Sequence, residues 1–128
     1  MVRRQPHADS VVRRAEEWLA KNFREPKAVA ALVAECGIPE RSIKRRFRAA
    51  TGSTIIGYVQ NLRIEEAKRL LEAETISSEE IAANVGYENS AFFRRLFKGC
   101  TGLTPGEYRR MFRPISRAAR AAGADDPA

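Results

Sequence analysis

The stretch RRFRAATGSTIIGYVQNLR, residues 45–63, decides the fold, because the chain writes it a second time as RLFKGCTGLTPGEYRRMFR, residues 95–113. The two strings agree at Arg45/Arg95, Phe47/Phe97, Thr51/Thr101, Gly52/Gly102, Thr54/Thr104, Tyr58/Tyr108 and Arg63/Arg113, seven identities in nineteen positions. Basic replaces basic at Lys44/Arg94 and Arg48/Lys98. Upstream the pairing continues at an offset of 49, with Leu32/Ile81, Cys36/Val85 and Gly37/Gly86, so one residue is inserted in the turn of the second copy. Internal repetition of this kind means one architectural unit used twice.

Each copy reads as a short apolar helix, a Gly-containing turn of about three residues, and a helix with one basic face. That is the helix-turn-helix pattern, in which the first helix and the core face of the second hold each other so that the second projects into the major groove. In the helix over 40–50, Ile43 and Phe47 lie i,i+4 and face inward. Arg41, Lys44, Arg45 and Arg48 fall on the other side, with Arg46 at the flank. In 90–100, Phe93 and Phe97 face inward, supported by Phe92, Leu96 and Cys100, which leaves Ser90, Ala91, Arg94, Arg95 and Lys98 outward. A single basic face usually means only a solvated surface. Two of them, in register within two copies of one motif, point to DNA.

Working outward, helical period dominates and strand alternation is missing. A first helix is expected over 10–23, capped by Asp9 or Ser10, and a short one over 27–35 ended by Gly37. The next begins at Pro39-Glu40 and stops at Gly52. A longer helix spans 54–73 with Ile55, Tyr58, Val59, Leu62, Ala67, Leu70 and Leu71 on its apolar side. Ser77 and Glu80 fit a capping box, Gly86 ends the helix they start, Asn89 caps the following one, and Thr104-Pro105 opens the last. The expected fold is all-α, seven helices, organised as a flexible N-terminus (1–9), a first helix-turn-helix subdomain (10–53), a linker helix (54–73), a second subdomain (74–113) and a disordered tail (114–128).

Composition narrows the function. The chain has 128 residues, a 44% apolar content and a net charge of +7 from 23 Lys and Arg against 16 Asp and Glu. That suffices for a packed core and implies a polyanionic partner. No apolar run is long enough to span a membrane, and the first residues carry no apolar core of a secretory signal, so the cytoplasm is expected. Two cysteines, Cys36 and Cys100, and the lone His7 give no metal-ligand spacing, no cofactor site and no catalytic constellation. Both cysteines sit in apolar helical stretches and read as buried, inert thiols rather than nucleophiles.

At this point the sequence resembles the AraC/XylS family of transcriptional regulators. The second half carries the family signature nearly complete: Ile81-Ala82, Val85-Gly86-Tyr87, Asn89, Phe92-Phe93, Arg95, Phe97-Lys98, Gly102, Thr104-Pro105 and Tyr108-Arg109. The first half shows Arg45, Phe47, Thr51-Gly52, Tyr58-Val59, Arg63, Ala67 and Leu70-Leu71. Two departures stand at Pro39, where the family usually caps with Ser, and Ile55, where it often has Pro; both remain compatible with a helix start. The resemblance implies two recognition helices entering successive major grooves ~34 Å apart on double-stranded promoter DNA. It also implies transcriptional activation through RNA polymerase, in a protein bound to the nucleoid.

Carried over by position, Arg41, Lys44 and Arg45 are the base readers of the first unit, and Ser90, Ala91, Arg94 and Arg95 those of the second. Arg can bind guanine bidentately, and Ala91 can touch only a thymine methyl. Arg48, Lys98 and the helix starts at Thr54, Ser78 and Thr104 are the phosphate candidates. Arg63 and Arg113 divide evenly between a DNA role and packing across helices. One chain already presents two readers, so the isolated domain is expected to be a monomer, with the oligomeric state of the protein left open. The competing readings are a non-specific nucleic-acid binder, which explains the charge but not the paired motifs, and an enzyme or helical adaptor.

Overall fold

The computed structural model describes residues 9–112; the expectations for residues 1–8, His7 among them, for Arg113 and for the tail 114–128 lie outside these. Among the described residues there are seven helices and no strand: α1 (Ser10–Asn22), α2 (Ala28–Cys36), α3 (Glu40–Thr51), α4 (Ile55–Ala73), α5 (Ser78–Val85), α6 (Ser90–Thr101) and α7 (Pro105–Phe112). They form two compact units whose boundary falls inside α4, between Arg63 and Ile64. The helix read from sequence as a linker therefore contributes to both cores.

In the first unit, α1 starts where the Asp9 carboxylate accepts hydrogen bonds from the amides of Val11 (3.0 Å) and Val12 (3.1 Å), satisfying donors that no helical carbonyl can reach. Val12, Ala15 and Leu19 recur at helical spacing and are buried with Leu32 of α2, Ile43 and Phe47 of α3, and Ile55 and Val59 of α4. The turn between α2 and α3 opens at Gly37, whose φ of 71° lies in the left-handed region that a side chain disfavours. Arg63, 6% exposed, closes the unit from α4. It donates to the carbonyl oxygens of Phe23 (2.7 Å) and Glu25 (2.6 Å) in the loop between α1 and α2. Its role is structural.

In the second unit the expected capping box is present: Glu80 N–H donates to Ser77 Oγ (3.1 Å) and Ser77 N–H to Glu80 Oε1 (3.2 Å). A second box, not foreseen, starts α7, with Glu107 N–H on Thr104 Oγ1 (3.1 Å) and Thr104 N–H on Glu107 Oε1 (2.9 Å). Ala67 and Leu71 of α4, Ile81, Ala82 and Val85 of α5, and Phe93 and Phe97 of α6 fill the core. Tyr108 of α7 completes it and donates its hydroxyl to Glu72 Oε2 at 2.6 Å. Burial, reinforced by that carboxylate, holds the phenol above the ordinary tyrosine range.

The repeat in sequence is a repeat in geometry. The Thr51 hydroxyl lies 2.8 Å from Phe47 O and accepts Ser53 N–H at 3.1 Å. The Thr101 hydroxyl lies 2.8 Å from Phe97 O and accepts Leu103 N–H at 3.1 Å. Beside these knots the Phe47 and Tyr58 rings meet edge to face at 5.2 Å and 86°, and the Phe97 and Tyr108 rings at 5.5 Å and 86°. The inserted residue also falls where the offset placed it. Three residues, 37–39, join α2 to α3, and four, 86–89, join α5 to α6. The longer turn brings Asn89 to the start of α6, where its Oδ1 accepts Phe92 N–H at 2.9 Å; Pro39 starts α3 with no side-chain cap.

Candidate nucleic-acid interface

On α3 the buried side is narrow. Ile43 and Phe47 are fully buried, whereas Arg41, Lys44, Arg45 and Arg48 are exposed, as the helical period requires. Lys44 Nζ lies 2.6 Å from Glu40 Oε2 one turn earlier, both side chains about half exposed, a pair of the kind that contributes little. Arg46 differs. Its Nε donates to Asp9 Oδ2 at 3.0 Å and its Nη2 to Asp9 Oδ1 at 2.9 Å. That fork fastens the flank of α3 to the start of α1. The Arg46 hydrogen bond is the main reason the Asp9 carboxyl lies below its usual range, with the two amides adding to it against a desolvation penalty.

On α6, Phe93 and Phe97 are fully buried, Arg94, Arg95 and Lys98 are exposed, and Ser90 and Ala91 are partly covered. Arg94 Nη1 is 3.6 Å from Glu79 of α5 and 3.4 Å from Ser90 Oγ. Two expectations are corrected here. Phe92 does not support the core; it is 40% exposed, because it is rotated about 100° from Phe93 and is met by the Tyr87 ring on one side. Cys100 is exposed and Cys36 half-buried. Cys100 sits in the last turn of α6, beyond the last buried ring, Phe97, so nothing covers it as a core thiol. Burial therefore does not make the Cys100 thiol inert. For Cys36 the expectation holds in part, since burial pushes that thiol above its ordinary value.

The three helix starts named as phosphate candidates are not equivalent. At α5 the first turn carries Glu79 and Glu80, and at α7 it carries Glu107. The Thr104 amide is the main cause that holds the Glu107 carboxyl below its ordinary value. A helix N-terminus already faced by a carboxylate opposes a second anion. The first turn of α4 has no acidic residue, and its Thr54 Oγ1 accepts Gly57 N–H at 3.0 Å. Ser78 is partly covered, as is Thr104, and Thr54 is exposed.

Charge divides unevenly. Residues 9–63 hold eleven Lys and Arg against six Asp and Glu, and residues 64–112 seven against eight. In the second set, Lys68 pairs with Glu65 (3.0 Å) and Arg69 with Glu66 (2.6 Å) on α4. Arg109 is structural, donating to the carbonyls of Leu71 (3.3 Å), Glu74 (3.0 Å) and Ile76 (2.8 Å). Sequence comparison within the chain had paired Arg63 with Arg113; the loop-closing work that Arg63 does in the first unit is done in the second by Arg109. Among the described residues, no group of three or more His, Cys, Asp or Glu side chains is placed to hold a metal ion, and no helix is long and apolar enough to cross a membrane.

Comparison with known proteins matches these features as a set. A family model described as a helix-turn-helix domain matches residues 32–111. The HTH-type transcriptional activator RhaR of Salmonella schwarzengrund is 34% identical over 93 residues, covering 73% of this chain and 33% of its own length. Among solved structures, the C-terminal domain of AraT, a response regulator from Geobacillus stearothermophilus, has a TM-score of 0.76 at 27% identity, covering 86% of this chain and 88% of that one. The DNA-binding domain of the global transcriptional factor AdpA, solved with a target DNA, has a TM-score of 0.72 at 28% identity, covering 88% and 95%. The chain spans about a third of the length of the curated relatives it matches.

Proposed function

Because the chain belongs to the AraC-type helix-turn-helix family, we propose that it binds double-stranded promoter DNA sequence-specifically and regulates transcription, with α3 and α6 as its two recognition helices. The observation that carries this reading is the duplicated arrangement itself. In each unit a helix buries two apolar residues one turn apart, Ile43/Phe47 and Phe93/Phe97, and exposes Arg and Lys on the opposite side. The AdpA domain, solved on its target DNA, supports the same reading.

In the proposed complex the two helices enter successive major grooves. Arg41, Lys44 and Arg45 read base edges from α3; Ser90, Ala91, Arg94 and Arg95 read them from α6. Lys44 and Arg94 exchange Glu40 and Glu79 for DNA, a small loss because exposed ion pairs are weak. Arg48 and Lys98 hold phosphates. So does the start of α4 at Thr54, whose first turn carries no acidic residue. Ser78 and Thr104 are weaker phosphate candidates, given Glu79, Glu80 and Glu107 beside them. The first unit, richer in cations, supplies most of the attraction that counterion release provides. Action as a monomeric cytoplasmic activator that touches RNA polymerase on the nucleoid belongs to the same proposal.

The test is selection from a random duplex library, followed by affinity for the selected and a scrambled duplex at one fixed salt concentration. A specific reader prefers its site by at least about a thousandfold. Equal affinity for both duplexes would replace this reading by the non-specific binder.

A further inference from the structure

Phe92 is the one aromatic ring that α6 leaves partly in solvent. It is 40% exposed, while Phe93 and Phe97 on the same helix are fully buried. It stands one turn before Arg95, at the edge of the outward face that also holds Ala91. The first unit has Ser42 at the corresponding position. The ring is not loose: the Tyr87 ring backs it at 5.6 Å between centroids. The two residues before it add little polar recognition of their own. Ala91 has none, and Ser90 Oγ lies within 3.4 Å of Arg94.

A rigid apolar edge beside an arginine, on a helix that enters a major groove, matches one feature of DNA in particular. Thymine presents its C5-methyl group only in that groove, and apolar side chains recognise it by contact. We infer, on the strength of the DNA-binding reading above, that Phe92 is a specificity-determining residue whose exposed edge packs on one or two thymine methyl groups, making the α6 half of the site thymine-dependent. Ser42 gives the α3 half a hydroxyl at the same position and no such dependence.

The experiment takes the full 128-residue chain and the duplex it selects from a random library, and replaces each thymine singly by deoxyuridine, which removes the methyl and leaves base pairing intact. Wild type weakens about fourfold at one or two thymines, equivalent to ~0.8 kcal/mol for one buried methyl. At those positions F92S binds thymine and uracil equally, and F92L, which keeps an apolar side chain, retains part of the discrimination. Circular-dichroism melts establish that both variants are folded. Indifference of wild type to every replacement overturns the inference without any variant; so does an F92S protein that keeps the fourfold penalty. If selection enriches a sequence and no thymine matters, Phe92 alone is wrong. If selection enriches nothing, the DNA-binding reading falls and takes this inference with it.

Discussion

Replacing Arg63 separates its structural work from any role at a phosphate. The guanidinium is 6% exposed and donates to two loop carbonyls, Phe23 O at 2.7 Å and Glu25 O at 2.6 Å. Hydrogen bonds from a charged donor contribute about 1.5–3 kcal/mol each. Glu25 is exposed and Phe23 only partly covered, so water can replace the lost donor, and the low end applies. Arg63→Met keeps the aliphatic stem and should lose about 2–3 kcal/mol of unfolding free energy. Arg63→Ala also removes the Cγ and Cδ methylenes at ~0.8 kcal/mol each and should lose about 3.5–4.5 kcal/mol. Losses of that size are a large share of the stability of a small domain. The single tryptophan, Trp18, lies in the first unit, so urea unfolding followed by its fluorescence reports the unit in which Arg63 sits. An Arg63→Met protein within about 0.5 kcal/mol of wild type, yet weakened in DNA binding, would refute the assignment and make Arg63 a DNA contact.

Arg45→Ala should weaken binding to the selected duplex by about 1–3 kcal/mol and relax preference at one base pair; an equal loss on scrambled DNA would reduce Arg45 to a phosphate contact. Phe97→Ala, which empties a fully buried site between α6 and Tyr108, should lower unfolding stability by about 3–5 kcal/mol in denaturant titration, and an unchanged midpoint would remove Phe97 from the core. The Asp9 carboxyl is lowered on folding, chiefly by Arg46. Its contribution is therefore complete above the ordinary aspartate range and is lost as pH falls through the lower folded value. Wild type and Asp9→Asn should differ in thermal stability at neutral pH and converge in strong acid, and a gap that stays constant with pH would show that charge at Asp9 is irrelevant.

Much of the fold could be read in advance because its punctuation is local. Asp9, Ser77 with Glu80, Asn89 and Thr104 act on amides within three residues of themselves, so a short window of sequence contains both partners. The packing of Phe47 on Tyr58 and Phe97 on Tyr108 was legible for another reason, that the chain states it twice. What escaped depends on distance in space. Asp9 and Arg46 are 37 residues apart. Arg109, Arg110 and Arg113 are alike in sequence, and only the path of the loop between α4 and α5 decides that Arg109 reaches its carbonyls. Helical period put Cys100 on the side of Phe93 but did not say how far the neighbouring helices extend to cover it, and Phe92, about 100° round the helix from Phe93, was counted to the wrong side. The same limit applies to the proposed reading face. Its cations were legible from periodicity, whereas the diversion of Arg46 to Asp9 and the ion pairs of Lys44 and Arg94 were not.

The threonine knots have a consequence for how such a chain can change. Thr51-Gly52 and Thr101-Gly102 are spelled alike and bonded alike, while the residues nine and ten positions upstream of each threonine, Arg41 and Ser42 in one copy and Ala91 and Phe92 in the other, have nothing in common. The letters that build the chassis and the letters proposed to spell the message occupy separate columns of the same helix. On the proposed function, drift in the second set need not disturb the first, so either half of the molecule can acquire a new operator vocabulary while its partner keeps the old one.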